Sequence, residues 1–140
     1  MGRIGSFSDG LRRQWDKAMA AARILWPVLL LVPCGIAAEY ARAANVRLDM
    51  QNALDAAARQ LIHEAEVLDQ LTLERRAREF FRANFYGLGV TWVEEVTVEK
   101  DPATRTLTVS ASGRVETGML GLFRYETMPV TAATRVSWAM

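Results

Sequence analysis

The segment TLTVSASGRVET, residues 106–117, has a hydrophobic pattern with the period of a β-strand. Apolar side chains lie at the alternate positions Leu107, Val109, Ala111 and Val115, and Gly113 occupies the remaining position of this series. This alternation is typical of a strand with one face buried and the other in water. The sequence therefore predicts a half-buried strand whose apolar face needs a covering layer from elsewhere in the chain.

Two further strands are predicted on either side of this one. Val96 and Val98 mark a strand that ends at the turn signal Asp101-Pro102. Residues 118–123 are expected to form an apolar loop or a single helical turn. Alternation then resumes through Met128, Val130, Ala132, Thr134, Val136 and Trp138. Short connections favour an antiparallel three-stranded meander. If Pro129 lies in a strand, its missing N–H places it at an edge or facing outward.

The covering layer is predicted to be helical. Residues from Glu39 to about Leu68 contain neither Pro nor Gly and are rich in Ala and Leu. Two rows recur every seven residues and predict a narrow apolar stripe: Ala44, Gln51, Ala58 and Ala65 in one, Leu54, Leu61 and Leu68 in the other. The stripe is expected to pack on the sheet, and a coiled-coil partner is the alternative. The fold class is therefore α+β.

A second, shorter helix is predicted between this helix and the sheet. Residues 69–72 (DQLT) supply capping side chains for a helix that runs to about Phe85. Its apolar side is expected to hold Leu73, Ala77, Phe80, Phe81 and Phe85. Its opposite side is expected to be a solvated face of Arg75, Arg76, Arg78, Glu79 and Arg82. The alternative is that these four arginines hold a phosphate, an anionic lipid headgroup or an acidic partner.

Upstream of these elements, residues 24–38 (ILWPVLLLVPCGIAA) carry no charge. Fifteen helical residues span about 22 Å, and the hydrocarbon core of a bilayer is about 30 Å thick. Residues 19–22, with Arg23 extending its guanidinium toward the headgroups, make up the difference. Trp26 and Tyr40 stand near the two ends, where aromatic side chains anchor a span. The sequence predicts one transmembrane helix over residues 23–39.

The flanking charges predict the orientation of this helix. Basic residues dominate before it, at Arg3, Arg12, Arg13, Lys17 and Arg23. After it, only Arg42 and Arg47 occur close by, and they are mixed with acidic residues. The positive-inside rule then gives a cytoplasmic basic segment over residues 1–22 and an exported domain over residues 40–140.

Three other interpretations of the apolar run stay open. Gly35, Ala37 and Ala38 are small residues that suit a cleavable secretory signal, which would release the same domain. Cys34 stands where a lipoprotein box would have its cysteine, but Pro33 occupies a position that favours a small, flexible residue. A buried soluble helix is disfavoured, since Pro27 and Pro33 each remove a backbone hydrogen bond.

Composition excludes several functional classes. The 140 residues carry a net charge of +1, so no basic field indicates nucleic-acid binding. One Cys excludes an internal disulfide framework, and the lone His63 has no second His or Cys to complete a metal set. The sequence has no nucleophile elbow, P-loop or dinucleotide fingerprint, and Ser110 and Ser112 have no base to activate them. We expect neither an enzyme nor a cofactor, a metal or a small-molecule substrate.

The segments GIAAEYARA (residues 35–43) and LDMQNALDAAA (residues 48–58) resemble the N-terminal part of TadE/TadG-like proteins. These proteins belong to the tight-adherence (Tad, or Flp) pilus-assembly system. The second segment contains the pattern Q-x-A-x-D-A-A-A. Residues 83–85 (ANF), the alternating strands and residues 118–123 (GMLGLF) follow the order of the short members of that family. The resemblance covers most of residues 20–140.

This resemblance implies a single-pass protein of a bacterial inner membrane with a periplasmic, pilin-like domain. Its expected role is assembly or priming of a type IVb adhesive pilus, through contacts with other pilus-assembly proteins, pilin-like subunits and membrane lipid. Gly35 and Glu39 lie at the outer end of the apolar run, so cleavage by a prepilin peptidase is not expected. The chain is too short for the extra domain of full-length TadG proteins. The alternative is a secreted or envelope-attached adhesin or interaction module with a cleaved signal.

Five residues are the candidate assembly contacts: Glu39, Tyr40, Arg42, Gln51 and Asp55. In pilin-like assemblies an acidic residue of the apolar helix can pair with a neighbour's positive end, which is the hypothesis for Glu39. The alternative is an ordinary charge that flanks the helix. Gln51 and Asp55 lie four residues apart on one side of the helix, and are expected to hydrogen-bond each other or the sheet.

Overall fold

A computed structural model describes residues 5–87 and 91–138 of the chain. Helix α1 covers Gly5–Leu61 and helix α2 covers Gln70–Asn84. The strands are β1 (Thr91–Asp101), β2 (Thr106–Glu116) and β3 (Thr127–Ser137), and a short 3₁₀ helix, Leu120–Phe123, lies between β2 and β3. The chain divides between Ala38 and Glu39 into two compact units. The predicted α+β fold is confirmed.

The N-terminal unit consists of the first part of α1. Pro27 and Pro33 both lie within this helix, and every residue from Gly10 to Leu31 is exposed. The helix contains a segment long and apolar enough to cross a membrane, a property that a signal sequence shares. Among the residues that the structure describes, one helix could therefore span a bilayer, judged by length and composition.

The second unit contains a three-stranded antiparallel sheet in the order β1-β2-β3. Val98 pairs with Val109, which in turn pairs with Thr134, and a bulge lies in β1 between Val93 and Glu95. Both β1 and β3 are edge strands. Pro129 lies in β3 with its side chain exposed, so the expectation that this residue occupies an edge is confirmed.

The core lies between one face of this sheet and the two helices. The predicted alternation in β2 is confirmed, since Leu107, Val109, Ala111 and Val115 are all buried. Helix α1 contributes most of the covering layer, through Ala43, Met50, Ala53, Leu54, Ala57, Ala58 and Leu61. The predicted seven-residue rows were partly wrong, because Ala44 is exposed and Gln51 is only half-buried. The buried face is broader than a heptad stripe because a flat sheet contacts more of the helix than one partner helix does.

The predicted end of the long helix, near Leu68, was wrong. Helix α1 ends at Leu61, and residues 62–68 form successive turns with bonds such as Glu64 N–H to Leu61 C=O. No Gly or Pro marks this stop in the sequence. Ala65 is nevertheless buried and Leu68 packs against the core, so the hydrophobic spacing continues through the turns. Spacing alone therefore gave the contacts but not the backbone conformation.

Helix α2 begins and ends as predicted. The Asp69 carboxylate caps it by accepting a hydrogen bond from the Thr72 N–H at 3.2 Å. Leu73, Ala77 and Phe81 are buried, and the rings of Phe81 and Phe85 stack with centroids 5.1 Å apart. On the outer side the arginines mostly face solvent, and two form ion pairs: Arg76 with Glu64 and Arg78 with Glu74.

Candidate assembly surface around Glu39

Glu39 is half-buried and binds the N-terminus of the 3₁₀ helix. One carboxylate oxygen, Oε1, accepts a hydrogen bond from the Met119 N–H, and the other, Oε2, accepts one from the Leu120 N–H at 3.0 Å. The first N–H groups of a helix lack partners within it and attract negative charge. Met119, the N-cap residue itself, makes no capping bond with its side chain. A carboxylate some 80 residues away in sequence therefore provides the cap.

The loop that contains the 3₁₀ helix, residues 117–126, is closed by its own hydrogen bonds. At its base the Thr117 N–H donates to the Glu126 C=O at 3.0 Å, and the Thr117 hydroxyl donates to the Tyr125 C=O. After the 3₁₀ helix, Arg124 adopts a left-handed conformation with φ of 69°. The Arg124 N–H then bonds to the Gly121 C=O. The loop thus has a defined conformation.

This loop exposes a group of large apolar side chains. Leu122 is 78% exposed, Tyr125 is 67% exposed and Phe123 is 55% exposed. Arg124, between two of them, is exposed as well. Gly118 lies close to the Glu39 cap, because a Cβ added at this position would be 3.3 Å from Glu39 Oε1. Residues 118–123 thus form the single helical turn that was one of the two expectations for them.

Gln51 connects α1 to the sheet. Its side-chain amide donates to the Ala133 C=O of β3 at 3.1 Å and to Asp55 Oδ1 at 3.2 Å. The expectation that Gln51 and Asp55 bond each other or the sheet is confirmed, with both bonds present. The residues have the i, i+4 spacing at which side chains on one helix face meet. Both side chains are half-buried, and Gln51 Nε2 and Asp55 Oδ1 have partners within the chain.

The other two candidate contacts, Tyr40 and Arg42, are exposed to solvent. Tyr40 is 60% exposed, and it directly follows the capping Glu39. The structure thus separates the five candidates into two groups. Three of them, Glu39, Gln51 and Asp55, are bonded within the second unit, and two present their side chains outward.

Gln70, the first residue of α2, makes a contact with the sheet that the sequence analysis missed. Its side-chain amide donates to the Val98 C=O of β1 and to Glu74 Oε1. Each edge strand therefore has a backbone carbonyl bonded by a glutamine side chain, from Gln70 at β1 and from Gln51 at β3. The sequence analysis expected a bond from Gln51 to Asp55 or to the sheet. No sequence signal indicated the bond from Gln70 to Val98, because these residues lie 28 positions apart in the chain.

A polar groove of about 390 Å³ lies along the sheet. Its lining includes hydroxyl side chains from all three strands, and Thr97 Oγ1 lies 2.6 Å from Ser110 Oγ in a hydrogen bond. Arg47 and Glu95 are the charged residues of the lining. Within residues 5–87 and 91–138, no three His, Cys, Asp or Glu side chains come together as a metal site would require. The groove thus presents hydroxyl groups and two opposite charges to solvent.

Two exposed carboxylates have altered acidity. The Thr72 side chain and N–H bond to Asp69 and lower its pKa below the usual value. The Thr104 hydroxyl, which donates to Asp101 Oδ2 at 2.7 Å, likewise lowers the pKa of Asp101, with help from the Ala103 and Thr104 N–H groups. Both carboxylates stabilise local structure: Asp69 stabilises the start of α2, and Asp101 stabilises the β1–β2 turn.

Comparison of the chain with protein-family models, with curated proteins and with solved structures gave no match.

Proposed function

We propose that this chain is a membrane-anchored, minor-pilin-like or assembly component of a Tad/Flp type IVb adhesive pilus. It acts through protein–protein contacts rather than catalysis. Residues 23–39 anchor it in the bacterial inner membrane, with the N-terminus in the cytoplasm. The α+β unit lies in the periplasm, where it meets other pilus-assembly proteins or pilin-like subunits.

The observation that carries this proposal is that one helix, α1, contains both an apolar run and the residues that cover the sheet. Helix α1 contains the mostly exposed, charge-free run at residues 24–38, and its later residues, from Ala43 to Leu61, cover a three-stranded antiparallel sheet. An exposed apolar helix is unfavourable in water and favourable in lipid or against other apolar helices. This element order, with the segments at residues 35–43 and 48–58, is the order on which the resemblance to TadE/TadG-like proteins rests.

The candidate contacts have different parts in this proposal. Glu39, Gln51 and Asp55 maintain the shape of the periplasmic unit, because each makes side-chain hydrogen bonds within it. Tyr40 and Arg42 are the intermolecular contacts, since both are exposed directly after the span. An aromatic and an arginine side chain are the types that most often dominate binding energy at interfaces.

A second candidate function is a released envelope or adhesin module. Gly35, Ala37 and Ala38 directly precede the second unit, which begins at Glu39 and has its own core. Cleavage after these small residues would leave that core complete. The alkaline-carbonate-washed membrane fraction separates the two functions: a full-length, membrane-retained protein supports the anchored component, and a shortened, soluble protein supports the released module.

The role in assembly is tested by deletion and complementation in the source bacterium. Deletion is expected to reduce surface pili and adherence, and the intact chain is expected to restore them. The double variant Tyr40→Ala, Arg42→Ala is expected to restore protein level without restoring pili. The matched control Arg59→Ala, an exposed arginine later in the same helix, is expected to restore both. Normal pili in the deletion strain would overturn the assembly role.

A further inference from the structure

The loop at residues 117–126 has a surface that the proposed assembly contacts do not use. Leu122, Phe123 and Tyr125 expose most of their apolar area on one short segment. Large apolar side chains grouped in this way mark an interaction surface rather than a solvated loop. The hydrogen bonds at the base of the loop preform this surface, so binding needs little further ordering.

Glu39 connects this loop to the residues that directly follow the charge-free run. Its carboxylate holds the Met119 and Leu120 N–H groups, and Glu39 is the first residue after the charge-free run. The four-residue 3₁₀ helix is about 8 Å long. The headgroup region on each side of the hydrocarbon core is about 5–8 Å thick. Because Glu39 directly follows Ala38 in the chain, a run that ends at the hydrocarbon boundary puts the Glu39 carboxylate, and the two N–H groups that it binds, at the level of the headgroups.

The chemistry of the loop fits that region. Leucine and phenylalanine side chains suit the acyl boundary, and a tyrosine ring with its hydroxyl suits the interface. Arg124 is exposed between Phe123 and Tyr125 and has the charge that complements a lipid phosphate. The acidic residue Glu126 lies at the base of the loop, where its C=O accepts from Thr117.

We infer that residues 117–126 bind the surface of the bilayer, with the side chains of Leu122 and Phe123 at the acyl boundary and Arg124 at the lipid phosphates. The inference rests on the membrane anchoring in the proposed function. It adds a second membrane contact, joined to the end of the span by the Glu39 cap.

The test is spin-label depth measurement on the full chain. A Cys34→Ser background removes the single native cysteine, and Leu122→Cys then carries a nitroxide label in vesicles of phosphatidylethanolamine and phosphatidylglycerol. The label is expected to be more accessible to oxygen than to a water-soluble nickel chelate. The control is Ala103→Cys in the β1–β2 turn, at the opposite end of the eleven-residue β2 and so about 35 Å away. This label is expected to be accessible to nickel, as in water.

Two further arms complete the test. A label on native Cys34 reports the span itself: a hydrocarbon signal there with an aqueous signal at position 122 overturns the loop contact and leaves the anchoring intact. Aqueous signals at both positions overturn both. A label at position 122 shielded from both relaxation agents indicates burial against a protein, which also overturns the lipid contact. Glu39→Ala is expected to shift the position-122 label toward water, and an unchanged depth contradicts the proposed tether.

Discussion

The Glu39 cap gives the most detailed prediction. Glu39→Ala removes both acceptors of the Met119 and Leu120 N–H groups. A hydrogen bond to a charged group contributes about 1.5–3 kcal/mol, and the half-exposed position of Glu39 favours the lower end of that range. We therefore expect Glu39→Ala to lower the free energy of unfolding of the second unit by ~3 kcal/mol. Glu39→Gln keeps one acceptor and turns an amide donor toward the other N–H. Its loss of unfolding free energy should therefore be about half of the loss for Glu39→Ala, or slightly more.

The assay combines urea unfolding of the full chain in detergent with amide hydrogen exchange. Exchange at Met119 and Leu120 should accelerate most, because these two amides lose their acceptors. Glu66→Gln is the matched control, since Glu66 is exposed in the turns after α1 and its substitution removes the same charge. Unchanged exchange at both amides in Glu39→Ala, or an equal effect of Glu66→Gln, would refute the reasoning.

Three further predictions concern the sheet and the core. Gly113→Ala places a Cβ 2.6 Å from a backbone carbonyl oxygen of β1, so we expect a loss of about 1–3 kcal/mol in urea unfolding; Gly121→Ala, with open space around it, should be close to neutral. Phe81→Ala empties a fully buried site and should cost about 3–5 kcal/mol, which a drop in the thermal midpoint would record. The hydrogen bonds to the Asp101 carboxylate lower its pKa in the folded state and so stabilise the fold. This stabilisation is present above the unfolded-state pKa near 3.8 and is lost as pH falls through the lowered folded-state pKa. Acid titration should therefore destabilise Asp101→Asn less than the parent, and equal acid sensitivity would contradict the role of the Thr104 hydroxyl.

Features that depend on local pattern were predictable from the sequence. Alternation in residues 106–117 gave the strand and its buried face, and Asp69 gave the start of α2, because each signal lies within a few residues of its effect. The end of α1 at Leu61 was missed, since no helix breaker follows it and the apolar spacing continues to Leu68.

The candidate site was predictable only in part. The Gln51–Asp55 bond follows from helix spacing, but the bond from Gln51 to the Ala133 C=O joins residues 82 apart, and its partner could not be named in advance. The partners of Glu39 could not be named in advance either, since the sequence suggested a pairing with a neighbour's positive end or an ordinary charge that flanks the helix. Its actual partners, Met119 and Leu120, are backbone groups exposed by a short helix end, which no side-chain pattern identifies.

The central claim is that the apolar run is embedded in lipid with the sheet-bearing unit on the far side. Cysteine labelling in intact spheroplasts tests it most directly, with Ala103→Cys and Lys17→Cys placed one at a time in a Cys34→Ser background. With this orientation, a membrane-impermeant maleimide is expected to label position 103 at once and position 17 only after permeabilisation. Immediate labelling at position 17 with protection at position 103 would contradict the orientation and, with it, the pilus-assembly role.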